Sequence, residues 1–518
     1  MKENFKFQIY NFKFTINLWL ILICLFFLVT RLYQIDSNPP SLYWDEASIG
    51  YNAYSILKTG HDEWGTRTPI HFRAFGEFKL PLYIYSTVII ESIFGLTPLA
   101  IRLPAVLYSL GSLILVYLLV RKITQKELPG LLAAFAFSIS PWMFIFSRTG
   151  YEATAGLFFF LLTINFFLLS QQKKVFILFS VISLIFSIYS YNSFRILSVF
   201  VIAILICQKI WVSCTKKSIV LYLGLLLIFL ISWIPILRLY LFDNGLNRAN
   251  ALGFSTGDAF NNLITFSKNY FAHYSGNFLL LGDVNPRSQQ PGFGQLYWLD
   301  LTFVVIGFLV LLKNRKYFFG LIIFLILIAP IPAALFKEAP HPLRAILLAP
   351  LVAILSGLGI WWVIEKKRLL IWPILTINLL FFGFYYFNFL TTYPVKTSAD
   401  WQFGYQQIYT QYADKFSNYD NIIISDDYAQ PYIFALAYMK IDPYSFQKTS
   451  VKNPVNDWGF STISQFGKFF FVKANHPNLD HPGKSLVFMT KPLGNKLPDK
   501  QINFLNGQSA LFVYTIDR

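Results

Sequence analysis

The sequence predicts a polytopic α-helical membrane protein that carries a C-terminal α/β domain. Three observations predict it. Apolar runs of about 20 residues recur along the chain, the length that crosses a hydrocarbon core roughly 30 Å thick. Charged residues make up 13% of the 518 residues and hydrophobic ones 55%, whereas a soluble domain carries about 25% charged residues. From about Thr391 the apolar runs shorten, and Ser, Asn, Asp and Lys become frequent. The long runs are continuous and do not alternate, which is not the pattern of a membrane β-barrel.

Eleven spans are expected, at 14–33, 101–121, 128–146, 152–170, 174–191, 196–212, 218–240, 297–313, 317–335, 345–364 and 369–390. The net charge of +17 does not point to nucleic acid, because the cations fall in alternate loops. Lys2, Lys6 and Lys13 precede the first span. Arg121, Lys122 and Lys126 follow the second, and Lys313, Arg315 and Lys316 follow the eighth. By the positive-inside rule these loops are cytoplasmic. The expectation is a multi-pass protein of the cell membrane with a cytoplasmic N-terminus and an extracytoplasmic C-terminal domain. The first span is too long for a signal h-region and lacks a following cleavage site, so it reads as retained. Cys24, Cys207 and Cys214 lie in or beside spans and form neither a disulfide framework nor a zinc spacing.

This topology divides the chain into a membrane domain (1–390) and an outer domain (391–518). Two long outer loops fall at 34–100 and 241–296. The first loop is patterned. Ile49, Ala53, Ile56 and Leu57 share one helix face, and Gly60 suits the stop. Leu80 to Phe94 is apolar but short, flanked by Pro81 and Gly95. Both segments read as helices lying along the membrane surface. Thr97-Pro98 reads as an N-cap and first turn. In the last domain Asn421–Ser425, Lys468–Val472, Ser485–Met489 and Ala510–Ile516 read as strands, and Tyr428–Met439 as a helix.

The residues able to carry chemistry cluster at expected outer turns. Asp45 and Glu46 begin the first surface helix. As a cap they need no further role, but adjacent acids are costly without partners or work, and Tyr43 and Trp44 make the setting interfacial. Lys79 opens the second surface helix and is able either to reach headgroups or to hold a lipid phosphate. Arg148 and Glu152 stand at i, i+4 in the turn after Ser140-Pro141-Trp142. They either pair across a helix end or contribute to a site, since ionisable residues near the membrane are functional candidates by default. Arg195 and Arg344 occupy short outer turns, where a fork-shaped cation suits a phosphate. Pro340 and Pro342 stiffen the turn of Arg344 and its neighbour His341.

At these residues the chain resembles the GT-C superfamily of polytopic glycosyltransferases, in particular the bacterial protein O-mannosyltransferase and aminoarabinose-transferase family. The resemblance covers about residues 30–350. It is carried by Asp45-Glu46-Ala47 before Gly50-Tyr51-Asn52-Ala53, by Phe78-Lys79-Leu80-Pro81-Leu82-Tyr83, by Arg102-Leu103-Pro104, and by Ser140-Pro141-Trp142 with Ser147-Arg148. One departure is visible: relatives commonly have two prolines after the lysine, and here Leu80 takes the first place.

The resemblance implies transfer of a sugar from a polyprenyl-phosphate carrier on the outer side of the membrane. Asp45 would be the general base, with Glu46 its neighbour and Glu152 the second acid of the outer turn. Lys79 and Arg344 would bind the carrier phosphate, with Arg195 and His341 as further candidates. The sequence assigns no cofactor; a divalent metal near Asp45 and Glu152 is compatible with the acids. The expected partners are the bilayer, a polyprenyl-phosphate-linked sugar and an acceptor hydroxyl on lipid, protein or cell-wall glycan. A transporter or flippase of lipid-linked sugar, or a non-catalytic scaffold, is the competing class. A transporter would want ionisable groups at mid-span and broken helices, whereas here the acids gather at turns.

Overall fold

A computed structural model describes residues 17–75, 77–212, 216–243, 245–246, 250, 253, 258–282, 285–313, 317–428, 430–454 and 462–518. Lys2, Lys6, Lys13, Cys214, Arg315 and Lys316 lie outside the described residues.

Every expected apolar run contains helix. In chain order the helices are α1 (Leu18–Leu32), α2 (Trp44–Thr59), α3 (Pro81–Phe94), α4 (Pro98–Thr124), α5 (Glu127–Ile139), α6 (Pro141–Phe146), α7 (Ala153–Leu169), α8 (Phe176–Ile188), α9 (Asn192–Val212), α10 (Lys216–Ser232) and α11 (Ile234–Phe242). They continue as α12 (Ala259–Ala272), α13 (Trp298–Lys313), α14 (Tyr317–Ile328), α15 (Ile331–Ala334), α16 (Leu348–Lys366) and α17 (Ile371–Thr391). Three expected spans are interrupted. Pro141 separates α5 from α6, Ile234-Pro235 begins α11 after α10, and Pro330 precedes α15. A proline lacks the N–H that would continue the ladder. By length and composition, 4 described segments are long and apolar enough to cross a membrane: Pro98–Thr124, Ile219–Phe242, Leu348–Lys366 and Arg368–Thr391. The remaining apolar helices are shorter.

Small residues let the bundle close. Gly307 of α13 lies against the backbone of Leu355 in α16, and Gly359 of α16 against that of Phe303 in α13. With no hydrophobic drive between helices in lipid, such close backbone approach is a main source of packing energy.

The two patterned segments of the first long loop form α2 and α3 as expected. Asp45 and Glu46 occupy the first turn of α2, where their charge complements the helix dipole. Gly60 ends α2 with φ 73°, a left-handed cap that glycine adopts without strain. Pro81 starts α3. Between them a two-stranded antiparallel hairpin, β1 (Phe72–Arg73) and β2 (Phe78–Lys79), sets Phe72 opposite Lys79.

The C-terminal domain adds α18 (Tyr393–Thr397), α19 (Phe403–Gln411), α20 (Pro431–Met439) and α21 (Pro443–Thr449). Its strands are β3 (Asn421–Ser425), β4 (Val451–Lys452), β5 (Ile463–Phe466), β6 (Phe469–Val472), β7 (Lys484–Met489), β8 (Lys500–Asn503) and β9 (Ser509–Asp517). They make a seven-stranded sheet in the order β4-β5-β6-β3-β7-β9-β8. β3 is parallel to both β6 and β7, and the outer pairs are antiparallel. β3 is buried on both faces, as a central strand read as Ile-Ile-Ile should be. The short strands β4, β5 and β8 carry no such run and were not expected from the sequence.

The domain does not hang free. One apolar cluster contains Leu42, Ala47, Tyr51, Phe72, Phe75 and Tyr83 together with Tyr405, Ile424, Tyr432 and Leu436. The α2–α3 layer is therefore packed between the helix bundle and the sheet domain.

Candidate active site

The last turn of α1 and the irregular segment that follows it to Ser41 have carbonyl groups that no helix or strand satisfies. Two buried arginines satisfy them. Arg148 donates to the carbonyl oxygens of Thr30, Arg31, Tyr33 and Asn38 at 2.7–3.0 Å. Arg102 donates to those of Ile35, Pro39 and Ser41 at 2.7–3.2 Å. A guanidinium with five donors is the one side chain able to hold so many acceptors at once. The expected pairing of Arg148 with Glu152 does not form, because Arg148 is spent on this backbone.

Arg102 also grips Glu46 in a two-pronged pair, with Nε to Oε1 at 2.9 Å and Nη2 to Oε2 at 3.1 Å. Gly150 N–H donates to the same Oε1 at 2.8 Å, and Tyr43 N–H to Oε2 at 3.4 Å. A side chain at position 150 would crowd Glu46 Cγ, so glycine permits this approach. Glu46 is wholly buried. Next to Asp45 in the chain, it ties the first turn of α2 to Arg102 and Gly150 of the bundle.

Asp45 points the other way. Its Oδ1 lies 2.6 Å from Lys79 Nζ, and Glu77 Oε1 is 3.5 Å from the same ammonium. The Lys79 side chain is 3% exposed and that of Asp45 is 21% exposed, so the carboxylate faces an opening while its cation is covered. Burial opposes the charge on Lys79, but Asp45, Glu77 and Glu152 outweigh it and hold the ammonium above the ordinary lysine value. Glu152 caps the start of α7 and accepts the N–H of Leu80 at 3.0 Å. Burial pushes its carboxyl up to about 7, with Lys79 pulling against the rise and Glu77 adding to it. Asp45, Lys79 and Glu152, distant in sequence, thus form one cluster. The Leu80 contact has a direct link to the sequence: a proline there would have no N–H to give Glu152.

A cation missed in the sequence completes the cluster. Arg287 lies over the ring of Tyr43 at 5.1 Å, and its Nε is 3.3 Å from Asn285 Oδ1. Its charge is felt by Tyr151, Tyr43, Asp45 and Asp400. Tyr151 Oη donates to the Arg287 carbonyl at 3.3 Å. The sequence signal was weak: one Asn-Pro-Arg turn in a long loop with no periodicity.

The other expected phosphate ligands stand in separate clusters. Arg195 donates to Ile188 O at 3.2 Å and Tyr240 Oη at 2.7 Å, and faces His71 Nε2 at 3.4 Å. Arg344 pairs with Glu338 at 3.1 Å and lies over Phe336 at 4.6 Å. His341 N–H donates to His273 Nε2 at 3.1 Å, and Arg344 N–H faces His341 Nδ1 at 3.5 Å. Neither arginine makes an ion pair with Asp45 or Glu152 among the described residues.

The acids do not present a metal's ligand set. The Lys79 ammonium, which cannot ligate while charged, stands against Asp45 and is flanked by Glu77 and Glu152. No group of three or more His, Cys, Asp or Glu side chains converges among the described residues.

Residues 79–237 match the family model described as dolichyl-phosphate-mannose-protein mannosyltransferase. The crystal structure of ArnT from Cupriavidus metallidurans in the apo state matches with a TM-score of 0.59 at 12% identity, over 96% of this chain and 97% of that one. The chain has the GT-C fold. ArnT from the same organism bound to undecaprenyl phosphate matches with a TM-score of 0.56 at 11% identity, over 96% of this chain and 98% of that one. The Archaeoglobus fulgidus oligosaccharyltransferase in complex with Zn and sulfate matches with a TM-score of 0.48 at 14% identity, over 81% of this chain. The chain spans 61% of that protein's length. No curated protein matches in sequence. The family-model match begins at Lys79 and, within the GT-C fold, takes in Arg102, Glu152 and Arg195.

Proposed function

We propose that the chain is a membrane glycosyltransferase that moves a sugar from a polyprenyl-phosphate-linked donor to an acceptor hydroxyl on the outer side of the membrane. The observation that carries this is the pair formed by Asp45 and Lys79, a partly open carboxylate 2.6 Å from a covered ammonium, in a GT-C fold. The structure of ArnT with undecaprenyl phosphate and the mannosyltransferase family model support this donor class.

An acceptor hydroxyl ionises far above neutral pH, so it needs a base as its oxygen bonds to carbon. Asp45 takes that proton. The acceptor oxygen forms the new bond to the anomeric carbon, and the old bond to the phosphate oxygen breaks. The electron pair leaves with the polyprenyl phosphate. One direct displacement inverts the anomeric centre.

Lys79 and Arg287 are the cations for the phosphate, whose charge grows as it departs. Lys79 pairs with Asp45 before the donor arrives. When Lys79 turns to the phosphate, Asp45 is released to act as base. Glu152, titrating near neutrality, helps to hold Lys79. Arg195, Arg344 and His341 have no part in this step, because their contacts lie in other clusters.

The test is transfer by the protein in proteoliposomes given labelled polyprenyl-phosphate sugars and the three acceptor classes. Wild-type turnover by Asp45→Asn would remove Asp45 as the base.

A further inference from the structure

The first turn of α2, which presents Asp45, is held from two sides. Arg102 and Glu46 hold it to the bundle. The other side is held by the C-terminal domain through four consecutive residues. Ser41 Oγ donates to the carbonyl oxygen of Trp401. Leu42 N–H donates to Tyr438 Oη at 3.0 Å. The Tyr43 ring meets Trp401 edge-on at 5.5 Å. Trp44 N–H donates to Gln402 Oε1 at 3.0 Å.

The last contact is unusual in kind. Trp44 N–H is one of the helix-start donors that no residue of α2 can satisfy. Such donors are ordinarily met by a side chain of the preceding residue or by water. Here the acceptor is supplied 358 residues away in the chain. The Gln402 amide is itself held, with Nε2 donating to the Tyr428 carbonyl after β3. Gln402 is buried, at 7% exposure, and has φ 56° and ψ 35°. A non-glycine residue in this left-handed region is strained and persists where its surroundings hold it. The neighbouring Trp401 indole donates to Tyr393 Oη at 2.9 Å, and Tyr393 Oη to the Pro286 carbonyl at 2.9 Å. The same run of contacts therefore ends beside Arg287, the second cation of the site.

We infer that the C-terminal domain is a positioning element of the active site, and that Gln402 sets the place of Asp45 by capping the first turn of α2 across the domain interface. Gln402 is a positioning residue; it reaches the reaction only through the helix that carries Asp45. The catalytic half of this inference rests on Asp45 being the base; the docking half does not.

The discriminating variant is Gln402→Gly in the full-length protein in proteoliposomes. Glycine removes the amide and also relieves the left-handed strain, so the thermal midpoint is expected to stay within a few degrees of wild type. Two readouts follow. Amide hydrogen exchange of the segment 41–47 is expected to quicken at least ten-fold at Trp44. The turnover number with a labelled polyprenyl-phosphate sugar is expected to fall about ten-fold, with donor KM within two-fold. Gln402→Glu keeps an acceptor oxygen for Trp44 but sets its second oxygen against the Tyr428 carbonyl, and is expected to slow exchange at Trp44 only in part relative to Gln402→Gly. Unchanged exchange in Gln402→Gly overturns the docking. Quicker exchange with wild-type turnover overturns the positioning role, as does a loss of turnover that merely follows a fallen thermal midpoint. If Asp45→Asn in the same assay transfers sugar as well as wild type, the catalytic half falls with the proposed base, and the exchange result alone decides the docking half.

Discussion

Asp45 and Glu46 are neighbours on one helical turn, yet they occupy opposite environments. Glu46 has no exposure and four hydrogen bonds, three of them from Arg102 and Gly150. Asp45 opens to one side and pairs with the Lys79 ammonium at 2.6 Å. A carboxylate bonded to several fixed donors has both its oxygens occupied. One paired with a lysine ammonium is freed when that lysine finds another anion. The two regions teach that adjacency in an acidic pair says little about shared chemistry, because successive helical residues point about 100° apart.

The comparison breaks first at Asp45. Asp45→Asn is expected to lower transfer by roughly 10²–10⁴-fold, the usual contribution of a general base, with the thermal midpoint near wild type; labelled-sugar transfer in proteoliposomes measures the first and a detergent melting curve the second. Arg102→Ala acts on the other region. Removing one partner of a buried pair strands the other charge, at a cost of about 3–5 kcal/mol, so this variant is expected to melt earlier and to express poorly. If Arg102→Ala melts like wild type and loses only turnover, the division between the two regions fails.

Arg287→Ala sharpens the site region. Loss of a charge-assisted contact to phosphate, worth about 1.5–3 kcal/mol, is expected to raise the donor Kd by roughly ten-fold or more. Arg344→Ala is expected to leave it within two-fold, read by titration with the polyprenyl-phosphate sugar.

The smallest effects concern pH. Glu152 in the folded protein titrates near 7, raised first by burial. An acid raised above its unfolded value gives stability that is full below the unfolded pKa and is lost as pH rises through the folded pKa. Wild type is therefore expected to lose melting temperature from about pH 4.5 to about pH 7, and Glu152→Gln to lose less over that window. Leu80→Pro removes the N–H that steadies the Glu152 carboxylate and is expected to move its titration further up, seen as a basic shift of the pH–rate profile.

Several residues of the candidate site stand out in the chain. The acid pair stood at a helix start and Lys79 stood before Pro81. Glu152 lay in a turn between apolar runs. What joined them was not legible. The pairing of Lys79 with Asp45 depends on a two-residue hairpin too short to leave a periodic signal. Arg148 looked like a partner for Glu152 by its i, i+4 spacing, but it turns to backbone carbonyls of the 30–38 segment, a competition visible only in space. Arg287 had no pattern around it at all. In the C-terminal domain the apolar strands β3, β6, β7 and β9 announced themselves, whereas β4, β5 and β8, with two to four residues each, were too short to leave an alternating pattern.

The sequence by itself determined the helical membrane class, the sheet domain and the places where ionisable groups crowd the turns, since each of these follows from local periodicity and composition. Tertiary structure alone decided which of two adjacent carboxylates faces a cation and which is sealed, and that a glutamine from the far end of the chain caps the helix bearing them. The physical reason is that burial and partner geometry, which set the chemistry of a charge, depend on contacts between segments hundreds of residues apart, as the 358-residue separation of Trp44 and Gln402 shows.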